Sequence, residues 1–435
     1  MNVMHMPQMK PRAAETKEKG TIEVQLRKSV QDSQQILALR GIQKLENTTI
    51  KDLADGIVRY AYSSRASDVH VEPEEAFIVI RYRIDGILHD VLMLPKAVHA
   101  MLITRVKVLS ELRTDAHLEA QDGRFRMVFD DMPVDVRVSI TPTYHGENIV
   151  MRLLVGQAKS LALHELGMSE KDLRTVESSL HKSYGMILAT GPTGSGKTTT
   201  LYSILQVLNT RQRSIITIED PIEYAMAGVT QIPVNVRTNL TFAQGLRSIV
   251  RQDPNIIMVG EIRDQETAGI AVNAAMTGHL LLSTLHTNDA AVTLPRLLDM
   301  GIEPFLIAST VNVAIGQRLV RKLCTACATK RVLTAVERNS LKDVLPADML
   351  TKNTLFAEPV GCKECNNTGY SGRIGIYEVM EITEQIRHMI MQRENADAIR
   401  KAAVLGGMTT MVMDGVRKAA DGMTSIAEVL RVIQE

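Results

Sequence analysis

The segment Gly191-Pro192-Thr193-Gly194-Ser195-Gly196-Lys197-Thr198 narrows what this chain can fold into more than any other. It fits the pattern G-x-x-x-x-G-K-[ST] and lies between an apolar run at 185–189 and a stretch of helical character that begins near Lys197. Glycines at these positions let successive backbone N–H groups converge on phosphate oxygens at a helix N-terminus, where the helix dipole also favours negative charge. Lys197 is expected to reach the β- and γ-phosphates of ATP and Thr198 to ligate Mg²⁺, with Thr199 next to them in the same turn.

The surroundings agree with that expectation. Short continuous apolar runs at 185–189, 215–218, 256–259 and 280–283 alternate with helical segments, the pattern of buried parallel strands in an α/β core. Two of these runs end in acids: Glu219-Asp220-Pro221-Ile222-Glu223 and Gly260-Glu261-Ile262-Arg263-Asp264. Carboxylates at strand ends fall on the edge where open α/β folds bind ligands. Glu261 is expected to hold the Mg²⁺ shell, and Glu219 or Glu223 to polarise an attacking water.

At 435 residues the chain has room for about three domains. Residues 1–45 read as a mobile tail and a short linker helix. Residues 46–157 read as a small α+β domain, in which Asp85-Gly86 has hairpin chemistry and the runs at 123–128 and 134–138 alternate apolar residues with Arg. Residues 166–435 read as the nucleotide-binding domain, with an insert at 318–375 and C-terminal helices at 383–435, where Ser425 and Glu428 have capping-box spacing. Lys and Arg number 50 against 49 Asp and Glu, and Trp is absent, so a nucleic-acid-binding surface is not the expected business of the chain. No apolar stretch approaches membrane-spanning length, and the start lacks a signal-peptide core, so a cytoplasmic location is expected.

The four cysteines form two C-x-x-C pairs, Cys324/Cys327 and Cys362/Cys365. Four thiolates can close a tetrahedral Zn²⁺ site with no open position, so a structural zinc is expected.

The ordered series of the Gly191–Thr198 loop, Thr217–Tyr224, Gly260–Asp264 and Thr277-Gly278-His279 through Ser283-Thr284-Leu285-His286-Thr287 resembles the secretion ATPase superfamily, the motors of type II secretion and type IV pili. The resemblance extends upstream through Arg65–Pro73 and Arg81–Gly86, and downstream to Gly422–Glu428. It implies a PAS-like domain ahead of a RecA-like core and a homo-hexameric ring. It also implies an arginine supplied across subunits from among Arg83, Arg105 and Arg124, and a nucleotide-proximal segment, Gln317-Arg318-Leu319. His279 and His286 would modulate the site, not serve as bases. The cysteine quartet resembles that of the assembly motors, implying ATP-driven polymerisation of pilin-like subunits, and the family resemblance implies an inner-membrane platform protein and a recruiting membrane component as partners. A retraction motor and a nucleotide-gated scaffold are the alternative readings. One departure stands out: Leu118-Glu119-Ala120 precedes Gln121-Asp122-Gly123-Arg124, where many members carry a basic residue and Pro.

Overall fold

The computed structural model describes residues 49–155, 161–340, 342 and 354–434. The expected tail and linker helix before residue 46 lie outside the described residues. The chain divides into two compact units, Met1–Ala158 and Lys159–Glu435.

Among the described residues the first unit begins with the helix Ile50–Ser63, capped by the Thr49 hydroxyl, which accepts from the Asp52 N–H. Leu53, Ala54, Ile57, Val58 and Ala61 recur at helical spacing and form its buried face. Strands β1 (Ala66–Pro73), β2 (Phe77–Ile84) and β3 (Ile87–Pro95) follow. After the helix His99–Leu109 come β4 (Gln121–Phe129), β5 (Met132–Thr143) and β6 (Gly146–Val155). They make one antiparallel sheet of order β3-β2-β1-β6-β5-β4. Asp85 and Gly86, both at positive φ, form the expected two-residue turn between β2 and β3. Along β5, Val134, Val136, Val138 and Ile140 are buried while Asp135 and Arg137 point to the other face.

In the second unit the helix Glu170–Leu180 leads to β7 (Gly185–Thr190) and the helix Lys197–Leu208. Next come β8 (Ile215–Glu219), β9 (Thr230–Pro233), the helix Phe242–Ile249, β10 (Ile256–Val259), the helix Gln265–Met276 and β11 (Leu280–Leu285). Helices Thr293–Asp299 and Pro304–Thr310 precede β12 (Val311–Leu323), after which β13 (Thr329–Val332) and β14 (Leu355–Glu358) form a small ladder. Strand β15 (Tyr370–Glu381) and helices Glu384–Met391, Ala396–Leu405, Met411–Ala420 and Ile426–Gln434 complete the unit. The sheet order is β15-β12-β7-β11-β10-β8-β9, parallel except for β15.

All four apolar runs singled out in the sequence are strands of this sheet, and they are wholly buried because both faces are covered. Met186 and Leu188 enter the core on one face while Ile187 and Ala189, alternating with them, enter the core on the other. The C-terminal capping box is half formed. The Ser425 hydroxyl accepts from the Glu428 N–H at 3.1 Å, but the Glu428 carboxylate turns to Arg321 and Arg431 and does not reach back to the cap.

Candidate functional site

Because β7, β11 and β10 are parallel neighbours, their carboxyl ends open on one edge of the sheet. The glycine-rich loop leaves β7 after Thr190 and enters the helix at Lys197. Gly191 has φ +145°, and a Cβ there would lie 2.4 Å from the Gln317 carbonyl oxygen and 2.7 Å from the Ser195 hydroxyl. Gly196, at φ +88°, turns the chain into the helix. Ser195 is buried, whereas Pro192, Thr193, Gly194, Thr198 and Thr199 lie exposed along the loop and first helical turn.

Gln317, buried in β12, donates from Nε2 to the Ser195 carbonyl at 2.8 Å and so latches the loop from below. Its neighbour Arg318 donates instead to the Val432 carbonyl of the last helix. Successive strand residues point to opposite faces, so only one of the pair can meet the loop. The residue that does is Gln317, the first of the segment Gln317-Arg318-Leu319 expected near nucleotide.

Lys197 folds onto its own loop, with Nζ donating to the carbonyls of Gly191 at 2.8 Å and Pro192 at 2.9 Å. Burial lowers the pKa of its ammonium, and the nearby Glu261 carboxylate opposes that shift. Glu261 is only 8% exposed and meets His286 Nε2 at 3.0 Å through Oε2, while Oε1 pairs with Arg263. Hydroxyls of β11 fix the end of β10: Ser283 donates to the Val259 carbonyl at 2.8 Å and Thr284 to that of Gly260 at 2.7 Å.

The two histidines are not together. His286 follows β11 at the loop edge, whereas His279 precedes it, accepting from the Gly185 N–H through its carbonyl. The six residues between them span about 20 Å of extended chain. An open cleft of about 680 Å³, lined in part by Tyr184, Phe305, Asn312 and Arg387, lies at this amino edge, away from the glycine-rich loop.

Glu219 and Glu223 also part company. Glu219 is buried at the end of β8 and accepts from Tyr202, from Thr217 at 2.5 Å and from Gln231 at 3.2 Å. Burial and the Glu219 carboxylate together raise the pKa of the Tyr202 phenol, which keeps it a donor. Glu223 is exposed on the following loop.

In the first unit, a row of residues runs across five strands: Arg83, Asp68, Arg152, Arg137 and Arg124, each directly opposite the next. Opposed residues share a face, so four guanidiniums line up over one carboxylate. Asp68 engages Arg152 at 2.9 Å and Arg83 at 3.7 Å, while Arg124 is exposed at the far end. Arg105 lies off this row, on the helix His99–Leu109, 3.7 Å from Asp55. Arg137 and Arg152 join the row through strand register, which no local pattern in the sequence encodes.

The Sγ atoms of Cys324, Cys327, Cys362 and Cys365 all lie within 4.8 Å of one another. Three of the separations are 3.9, 3.8 and 3.7 Å. A tetrahedron with Zn–S bonds of about 2.3 Å has edges of about 3.8 Å, so the quartet fits a zinc ion. Burial works against ionising Cys365, but N–H groups of Cys362 and Gly369 donate to its sulfur and, with the neighbouring thiols, bring its pKa down to about 6.

The chain is similar to several known proteins. HxcR, a type II secretion system protein of Pseudomonas aeruginosa, is 45% identical over 399 residues, covering 90% of this chain and 80% of its own length. The type IV pilus assembly ATPase PilB of Myxococcus xanthus is 43% identical over 387 residues, covering 88% of this chain and 68% of its own. Among solved structures, the ATPase DotB of Legionella pneumophila matches with TM-score 0.64 at 22% identity, over 88% of this chain and 95% of its own. The pilus retraction motor PilT with bound ADP matches with TM-score 0.57 at 25% identity, over 86% and 95%. The mixed α/β architecture with a RecA-like core is thus shared with known ATPases. No helix among the described residues is long and apolar enough to cross a membrane. The match to Type II/IV secretion system protein runs over residues 43–431, through both compact units, and on that extent the chain belongs to this family.

Proposed function

We propose that the chain is a hexameric ATPase motor that drives assembly of type IV pilus or pseudopilus filaments through an inner-membrane platform protein. The observation that carries the reading is the gathering of the Gly191–Thr198 loop, Glu261 and His286 on one edge of the sheet. The loop's N–H groups and the start of the helix receive phosphate oxygens, and Lys197 exchanges two neutral carbonyls for a charged partner. Thr198 and Glu261 are the residues that would hold Mg²⁺, which when bound neutralises charge on the β- and γ-phosphate oxygens.

Glu219 already accepts three hydrogen bonds, so Glu223 is the better candidate to orient water. Arg124, uncommitted to Asp68, is the better candidate to act across subunits. Catalysis then rests on positioning and charge, with little covalent work for the protein. The cysteine quartet would hold a structural Zn²⁺, closed on all four sides. Location at the cytoplasmic side of the inner membrane, by way of the platform protein and a recruiting component, follows from the same reading.

Secretion and pilus-assembly relatives at 43–45% identity support assembly over retraction, the retraction motor PilT being 25% identical. Phosphate release by wild type and Lys197→Ala tests the enzyme, and equal rates would overturn the site. Filament counts on cells carrying Lys197→Ala test the direction of the motor. Loss of filaments supports assembly, and excess would make the chain a retraction motor.

A further inference from the structure

The loop that follows His286 is anchored from far away in the sequence. Asp289 Oδ1 accepts from the N–H of Val292, the residue before the helix Thr293–Asp299, at 2.9 Å, while Oδ2 accepts from Arg400 Nη2 at 2.5 Å. One residue on, the Ala290 N–H donates to the Glu378 carboxylate of β15 at 3.2 Å. Glu378 is 4% exposed, and burial, followed by the Asp289 charge, pushes its pKa up. Arg400 also holds Asp397, at 2.8 Å. One guanidinium therefore neutralises an acidic cluster built around the loop. Leu285, Ala290 and Ala291 share a core with Ile399, Ala402 and Ala403 of the Arg400 helix, so the anchor is set in packed structure.

We propose that Arg400 is a positioning residue for ATP hydrolysis, holding the 286–291 loop, and through it the contact between His286 and Glu261, by its bond to Asp289. The proposal rests on the ATPase reading and adds a link from the catalytic edge to the C-terminal helices. Without Arg400, Asp289 and Glu378 face each other with no counter-charge, and their repulsion acts three to four residues after His286. The glycine-rich loop is held separately, by β7 and Gln317, so nucleotide affinity is not expected to follow.

The test is steady-state phosphate release by the full chain with Mg²⁺ and ATP, alongside melting curves. Expected for R400Q is a fall in kcat of about tenfold or more with KM within about twofold, the signature of an interaction that matters in the transition state. Adding D289N to R400Q removes the unpaired charge and should restore at least half of the loss on a logarithmic scale, and R400K should fall between wild type and R400Q. A purely structural arginine would shift the melting curve, and D289N would rescue that shift, while kcat of the folded protein stayed unchanged. Unchanged kcat in R400Q, a KM rise that accounts for the whole defect, or no rescue by D289N in a folded double variant would each overturn the proposal. Should R400Q fail to fold, R400K and D289N carry the test, and unchanged kcat in both overturns it. A wild-type chain that releases no phosphate overturns the ATPase reading itself, an outcome distinct from these.

Discussion

His286 Nε2 lies 3.0 Å from a carboxylate oxygen of Glu261, so the residue that follows β11 is tied to the loop that follows β10. The other oxygen pairs with Arg263, so a ligand that draws on the Glu261 charge shares the carboxylate with both residues.

The two acids after β8 should separate experimentally. Glu219→Ala strands the hydroxyl donors of Tyr202 and Thr217, takes one of three acceptors from Gln231, and should lower stability by about 2–3 kcal/mol. Glu223→Ala should leave stability within about 1 kcal/mol and lower kcat about a hundredfold. Thermal melting and phosphate release on the same preparations decide it. A silent Glu223→Ala would return the water-orienting role to Glu219.

Arg124 and Arg105 should differ in the same way. An exposed guanidinium that stabilises transition-state charge across subunits is worth about a thousandfold or more in kcat, so Arg124→Ala should nearly silence an assembled ring. Arg105→Ala removes a partly buried contact with Asp55 and should act on the melting temperature first. Turnover is best compared at concentrations where sizing shows the same assembly for each variant.

The cysteine quartet should carry about one zinc per chain, measured by atomic emission. Cys362→Ser should lose that metal, and chelation of the wild type should lower the melting temperature of the Lys159–Glu435 unit. Four reduced thiols with no zinc in freshly purified protein would sink the assignment.

Glu428 makes stability depend on acid. Burial works against its charge, yet Arg431 and Arg321, each at 2.7 Å, hold its pKa down to about 2 from an ordinary 4.5. A depressed carboxylate contributes above its unfolded pKa and loses that contribution as pH falls through the folded one. The gap of about 2.5 units is worth about 3 kcal/mol at neutral pH. Glu428→Gln should therefore be less stable than wild type at pH 7, and the difference should shrink between pH 4.5 and 2. A difference that stays constant in that window would refute the linkage.

Much of the core was legible because its signals are local. The run 185–189, the glycines after it and the helical stretch from Lys197 are read from adjacent residues, and they meet in β7, its loop and its helix. Asp85-Gly86 likewise dictates its own turn, since two positive φ values in succession suit few other pairs. Strand β12 was not legible. Its thirteen residues mix apolar and charged side chains, and what makes them a strand is pairing with β7 on one side and β15 on the other.

The sequence by itself therefore determined the glycine-rich loop, the buried parallel strands, the acids at their ends and the paired cysteines, all of which rest on neighbours a few residues apart. Only the tertiary structure decided that Gln317, not Arg318, meets the loop, that Glu219 is saturated while Glu223 is exposed, that His279 and His286 lie at opposite ends of one strand, and that Arg400 anchors Asp289 across 111 residues. Those outcomes turn on strand register and on which face a side chain takes, and both are set by packing against partners that the local sequence does not contain.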